Sequence, residues 1–271
     1  MDGFGKDLGR QCPVLQELYL KRCDVHMDVI ASPTLTSLTI IRPRLYGSEA
    51  GPLRIIAPRL ASMLLKLSYI GWKGAGRVKD GAPDQEPLAL LAKASIQLMG
   101  LYEYRRDRYC WEAAKLLFIQ SMCCFLALLP NVANLHLSGF TVDFEALLKK
   151  KSLQFPPLHN LKTLLLEECG VGTTFQILTS ILRNTPNLEK LGLHHCIFLA
   201  APPKETRKKE QEASKSRPLF LWCKKLKSIE IKRRQEDEPR MLKVLSEIRH
   251  GMLRSWWRKV MISSTIVERI E

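Results

Sequence analysis

Metal-ligating, acidic and phosphate-cradling residue types all occur in short clusters along this chain, and their spacing decides what each can do. His194-His195-Cys196 places three ligand types in a row. On a strand, however, successive side chains point to opposite faces, so the two histidines do not share one metal. The same alternation separates the carboxylates of Glu167-Glu168, which removes that pair from shared acid-base work. Gly71-Trp72-Lys73-Gly74-Ala75-Gly76 is glycine-rich but matches neither a P-loop nor the dinucleotide fingerprint. Cys123 and Cys124 are adjacent and no Cys-x-x-Cys occurs, so neither a zinc site nor a redox motif is supported. The expectation is a protein that is not an enzyme and carries no metal and no cofactor.

The elements that position these clusters follow one recurring phrase. It reads Leu-x-x-Leu-x-Leu-x-x-Cys-x-apolar, at Leu15/Leu18/Leu20/Cys23/Val25, Leu161/Leu164/Leu166/Cys169/Val171 and Leu188/Leu191/Leu193/Cys196/Phe198, and it is the leucine-rich-repeat phrase. The Leu-x-Leu core alternates as a strand does, while the flanking apolar positions and the Cys turn inward to close one coil. An inward Cys offers a small, weakly donating thiol within reach of a carbonyl. Weaker copies fall into register at Leu35/Leu38/Ile40/Leu45, Leu60/Met63/Leu65/Ile70, Leu91/Ala94/Ile96/Leu101, Val132/Leu135/Leu137/Val142 and Leu226/Ile229/Ile231. That gives about eight coils spaced by roughly 30 residues, enough for a solenoid. The fold class expected is α/β, an irregular leucine-rich-repeat solenoid with a curved parallel sheet on the concave side and helices and loops on the convex side.

A proline enters most phrases two residues before the first apolar position, at Pro13, Pro33, Pro58, Pro130 and Pro186, less regularly at Pro156-Pro157. Lacking an N–H, proline is tolerated at the start of a strand, so these residues mark where strands begin. Residues 175–183 carry Phe175, Ile177, Leu178, Ile181 and Leu182 at helical spacing ahead of Asn184-Thr185-Pro186 and read as a convex helix, with a shorter one at 144–150. Residues 111–129 are very apolar, but Glu112, Lys115, Gln120 and Ser121 interrupt them. The run falls short of the roughly 20 residues a bilayer core needs and reads as a buried helix.

The length fits one elongated repeat domain. Repeats are expected over 1–198 with a loop at 71–87, a disordered basic insertion over 199–218, and a last repeat with a capping module over 219–271. The insertion holds Pro202-Pro203, Lys204, Arg207, Lys208, Lys209, Lys215 and Arg217, a composition that cannot build a core. It reads as a solvated insertion in preference to a nuclear signal or a nucleic-acid contact. The start, 1–11, has no apolar signal-peptide region, so a cytoplasmic and/or nuclear location is expected. A net charge of +15 makes an anionic partner plausible. Yet the excess is spread along the array without the interleaved aromatics of a base-stacking platform, which leaves nucleic acid unfavoured.

Several runs also carry a resemblance to a known family. Cys12-Pro13-Val14-Leu15-Gln16-Glu17-Leu18-Tyr19-Leu20, Ala57-Pro58-Arg59-Leu60, the run from Phe155 to Leu164 and Thr185-Pro186-Asn187-Leu188-Glu189-Lys190-Leu191 resemble the leucine-rich region of plant F-box proteins. The run from Cys223 to Ile231 is similar to the opening of the FBD-type C-terminal module that many of them carry. The resemblance implies a substrate receptor of a cullin-based ubiquitin ligase, whose F-box docks on a Skp-type adaptor while the repeats capture the target. No F-box is visible before the first repeat, so the adaptor and cullin are expected only if an F-box is supplied. The alternative is a stand-alone leucine-rich scaffold with no ligase link. After Ile231 the fit weakens. Met241, Leu242, Val244, Leu245 and Ile248 read as an amphipathic capping helix, and Val260-Met261-Ile262 as a closing strand.

If the repeats bind a protein, strand alternation names the contact face. Glu17, Tyr19, Lys21, Asn134, His136, Thr163, Glu167, Lys190, His194, Glu230 and Lys232 stand between the inward leucines and point outward along the concave sheet. Tyr19 and the charged members are the natural anchors.

Overall fold

The computed structural model describes residues 8–22, 24–25, 29–41, 44–45, 54–68, 88–99, 123, 125–140, 155–170, 176–196, 225–233 and 261–266. The chain divides into two compact units, Met1–Phe140 with Pro156–Asn160, and Thr141–Phe155 with Leu161–Glu271. The loop expected at 71–87, the helix at 144–150, the basic insertion and the capping helix near 241–248 lie outside the described residues. So do Cys23, Val171 and Phe198.

The first unit holds α1 (Leu8–Gln11), β1 (Glu17–Lys21), β2 (Asp24–Val25), β3 (Val29–Ala31), β4 (Ser37–Ile41), β5 (Arg44–Leu45), β6 (Arg54–Ile56), β7 (Ser62–Ser68), β8 (Lys93–Met99) and β9 (Asn134–Ser138). Its main ladder runs β1, β4, β7, β8, β9, every pair parallel. Two short ladders, β2 with β5 and β3 with β6, are also parallel. The second unit holds β10 (Thr163–Glu167), α2 (Gln176–Arg183), β11 (Lys190–His194), β12 (Ser228–Arg233) and β13 (Met261–Ile266), and its four strands pair in parallel in chain order. The architecture is a mostly parallel α/β one with few helices. In the first unit, short strands that the sequence reading does not assign follow β1 and β4 in the chain, and Ile30 and Ile55 from the β3–β6 pair are fully buried.

Both units repeat the same local construction. A β-turn opens the phrase: Leu15 N–H donates to Cys12 O at 3.1 Å, Leu60 to Ala57 at 3.0 Å, Leu91 to Leu88 at 3.1 Å, and Leu188 to Thr185 at 3.1 Å. Pro13, Pro58 and Pro186 therefore occupy the first corner of a turn, where a φ fixed near −65° is already correct. The strands themselves begin only after the first apolar position. The prolines thus mark the turn and not the first strand residue, which corrects the reading from sequence.

After the turn, one carbonyl accepts two N–H groups from the next coil. Gln16 O receives Thr36 and Ser37 N–H at 2.8 and 3.0 Å, Ala61 O receives Ala92 and Lys93 at 2.9 and 3.1 Å, and Lys162 O receives Glu189 and Lys190 at 2.8 and 2.9 Å. A left-handed residue then ends the strand, at Arg22 (φ 49°), Glu168 (φ 52°) and His195 (φ 51°). Each donates its N–H at 2.8 Å to the neighbouring coil, on Ile41 O, His194 O and Lys232 O respectively.

The core is the inward row. Leu35, Leu38, Leu60, Leu65, Leu91, Ile96, Leu161, Leu164, Leu188, Leu191 and Leu193 are at most 1% exposed, with Ile229 and Ile231 at 0%. Each buried aliphatic side chain contributes about 1.5–3 kcal/mol relative to exposure, so the phrase specifies the ladder through its apolar positions. Cys196 Sγ donates to Leu166 O on the preceding coil at 3.4 Å, and Cys169 Sγ to Glu167 O at 3.3 Å. α2 ends where Thr185 Oγ caps it, donating to Ile181 O at 3.1 Å, with Pro186 beyond.

Candidate interaction face

Strand alternation sends every second side chain away from the leucine core, and the parallel register stacks those side chains into rows. In the first unit the rows run Glu17, Ser37, Ser62, Lys93, Asn134; then Tyr19, Thr39, Leu64, Ser95, His136; then Lys21, Ile41, Lys66, Gln97, Ser138. The sequence reading had singled out members of β1 and β9 and left β4, β7 and β8 unassigned. The register brings Glu17 and Asn134 into one row and Tyr19 and His136 into another. Tyr19 is 59% exposed, a large amphipathic ring open to solvent. Between the ends the rows mix apolar Ile41 and Leu64 with polar side chains that bond to one another. Ser62 Oγ donates to Ser37 Oγ at 3.2 Å, Ser95 Oγ and His136 Nδ1 are 3.1 Å apart, and Gln97 Nε2 donates to Ser95 Oγ at 3.3 Å.

The rows of the second unit are Thr163, Lys190, Ser228; Leu165, Gly192, Glu230; and Glu167, His194, Lys232. All six residues singled out on β10, β11 and β12 fall in these rows. Gly192 explains the middle of the face. An added Cβ there would stand 2.7 Å from Leu165 Cδ1 and 3.6 Å from His194 Nε2, so these two side chains lean over the bare backbone and bury it.

Glu230 is the electrostatic centre. Its Oε1 lies 3.0 Å from Lys232 Nζ and 3.4 Å from His194 Nε2. The lysine hydrogen bond holds the Glu230 carboxyl below its ordinary pKa. The His194 contact lacks hydrogen-bond alignment, leaving the buried Nε2 without an aligned partner. Burial, reinforced by Lys232, pushes the His194 pKa below the usual imidazole value, against the pull of Glu230 and Glu167.

The neighbouring pairs resolve in the same way. His195 and Glu168 are the left-handed residues after their strands, not members of the alternating face, so only His194 and Glu167 belong to it. Among the described residues no group of His, Cys, Asp and Glu could hold a metal ion. Burial raises the Cys196 thiol pKa well above its ordinary value, which keeps it in the protonated, unreactive form. Also among the described residues, no helix is long and apolar enough to cross a membrane.

Sequence reading missed the charged rim below the first row. Lys162, Glu189 and Lys227 lie side by side on three neighbouring chain segments, joined by the shared carbonyls of Lys162 and Glu189. Lys227 Nζ approaches Glu189 Oε2 at 2.5 Å. That hydrogen bond, aided by Lys162 and Lys225, lowers the Glu189 pKa.

Parallel ladders with buried leucines on one side and stacked outward rows on the other define a mostly parallel α/β protein. No family model matches the chain, and no solved structure matches it. Curated proteins do. The chain is 36% identical over 265 residues to the meiotic F-box protein MOF of Oryza sativa subsp. japonica, covering 94% of this chain and 52% of that protein. It is 29% identical over 185 residues to an F-box/LRR-repeat protein of Arabidopsis thaliana, covering 67% of this chain and 35% of that one. An F-box/FBD/LRR-repeat protein of the same plant matches at 29% over 192 residues, covering 69% and 40%. The chain is a relative of plant F-box proteins of the leucine-rich-repeat type. It spans about half the length of the rice protein and less of the others.

Proposed function

We propose that this chain is a protein-interaction module equivalent to the substrate-recognition region of an F-box/LRR ubiquitin-ligase receptor. On this reading its two units are stretches of leucine-rich-repeat solenoid, and their outward rows are the concave surface that captures a partner protein. The observation that carries the proposal is the register. It stacks Glu17, Tyr19, Lys21, Asn134 and His136 in one unit, and Thr163, Glu167, Lys190, His194, Glu230 and Lys232 in the other, opposite a leucine core that has no other task. The protein works by binding, without catalysis of its own, in the cytoplasm or nucleus. It reaches a Skp-type adaptor and cullin only through an F-box.

Affinity purification of the tagged chain from plant tissue tests this. A partner recovered by the parent and lost from Tyr19→Ala or Glu230→Lys at unchanged melting temperature supports the reading. Recovery that is indifferent to every outward-row substitution overturns it. Adaptor and cullin in the same eluate support the ligase link, and their absence alongside a specific partner leaves a stand-alone repeat scaffold.

A further inference from the structure

The lysine rim of the second unit is built differently from the corresponding edge of the first. In the first unit the carbonyls that accept two N–H groups belong to Gln16, Thr36, Ala61 and Ala92; in the second they belong to Lys162 and Glu189. Lys190 directly follows Glu189 and Lys225 lies two residues before Lys227, so four exposed lysines mark this edge, and Lys162, Lys225 and Lys227 act on the one Glu189 carboxylate. A lone Glu189 cannot neutralise them.

We propose that Lys162, Lys190, Lys225 and Lys227 form a docking strip for an acidic segment of a partner protein, with Glu189 standing in for the partner's carboxylate in the free chain. The inference rests on the reading of the chain as a protein-binding module and names the chemistry of what it binds. Neighbouring strands are about 4.8 Å apart, so the backbones at Lys162 and Lys227 are about 10 Å apart. Acidic residues three apart in a polyproline II segment share one face and are about 9 Å apart. A peptide crossing the strands therefore presents carboxylates at the spacing of the lysines. The Glu189–Lys227 pair is exposed and worth little, so an incoming carboxylate displaces it readily.

The surroundings favour a polypeptide over a nucleic acid. The described outward rows of β10, β11 and β12 hold no Phe, Tyr or Trp on which bases would stack, and they carry Glu167 and Glu230, which repel a continuous polyphosphate. A protein surface of mixed charge is compatible with both signs.

The test is fluorescence anisotropy of the full chain with a short fluorescein-labelled poly-glutamate peptide, a poly-lysine peptide as control and a single-stranded oligonucleotide as competitor. The parent is expected to bind the acidic peptide, and added salt to weaken it. Combining Lys162→Glu with Lys225→Glu is expected to weaken it about tenfold, and Glu189→Gln to tighten it about threefold, by releasing Lys227. Each variant is checked for an unchanged melting temperature, and Lys162→Gln with Lys225→Gln replaces the reversal if that variant melts early. No binding by the parent, equal binding by the lysine variants, or weaker binding by Glu189→Gln overturns the strip. An oligonucleotide that binds tighter than the peptide, and is lost in the same variants, overturns it in favour of nucleic acid. A natural partner that still co-purifies with the lysine variants overturns the strip but leaves the protein-capture reading intact. Peptide binding by a chain that recovers no partner has the opposite meaning.

Discussion

Replacing Glu168 by glycine and by valine should move stability in directions opposite to the same replacements at Lys190. Glu168 is exposed and sits at φ 52°, a conformation that costs an L-residue about 1–2 kcal/mol. Glycine removes that cost but adds about 0.5–1 kcal/mol of unfolded-state entropy, so Glu168→Gly is expected to be neutral or up to about 1 kcal/mol stabilising. Valine, β-branched, is a genuine outlier there and is expected to cost about 1–2 kcal/mol more than glutamate. Lys190 is an exposed, ordinary strand position, where valine outranks glycine by about 1 kcal/mol. The Gly-minus-Val difference thus reverses sign between two sites on neighbouring coils, by about 3 kcal/mol in all. Urea unfolding of the four variants reads it out. Neither site buries its side chain, so loss of packing does not blur the comparison. Valine favoured over glycine at both sites would refute the left-handed strand ending as the repeat's structural stop.

Leu164→Asp and Leu191→Asp each place an unpaired charge at a core position no more than 1% exposed and should cost more than about 4 kcal/mol; a parent-like melting temperature for either would show the repeat register to be wrong. His194, with its pKa lowered, contributes stability that is present above the ordinary imidazole value near 6.5 and lost as pH falls through the lower folded value. His194→Gln should flatten the unfolding free energy in that window, leaving the separate loss below about 4.5 that the lowered Glu189 and Glu230 predict. Alkylation mapped by mass spectrometry should modify half-exposed Cys12 quickly and spare buried Cys169 and Cys196 until the chain is unfolded. Gly192→Val should destabilise more than Gly192→Ala, because the space over Gly192 is filled by Leu165 and His194; equal melting curves would contradict that packing.

The inward rows were legible because leucine spacing is a side-chain signal, and it held even where Met63, Ala94 and Ile96 dilute it. The helix before Asn184-Thr185-Pro186 was legible for the same reason, with a polar cap and a proline to end it. The outward residues named from sequence take the alternate positions assigned to them. The turns and strand endings were not legible. Arg22, Glu168 and His195 share a backbone conformation and a hydrogen bond but no side-chain chemistry, so nothing in their types announces the role. The proline reading failed in a related way: a missing N–H is as compatible with a turn corner as with a strand's first residue, and only the backbone bond from Leu15 to Cys12 and its counterparts decides. The lysine rim escaped because its members are far apart in sequence and converge only once the register is known.

Around β1, β10 and β11 the shared carbonyls and left-handed stops bound a part whose length is rigidly set. From turn to stop the ladder bonds on alternate residues fix the register, so deleting one residue would turn a strand's solvent side into its core side. After Glu168 and His195 a lengthened connection costs only slowly growing closure entropy, whereas after Arg22 the β2–β5 and β3–β6 ladders continue the count. Insertions and deletions among relatives of this chain should therefore gather after Glu168 and His195. The outward rows can then keep their register while the connections after these stops diverge.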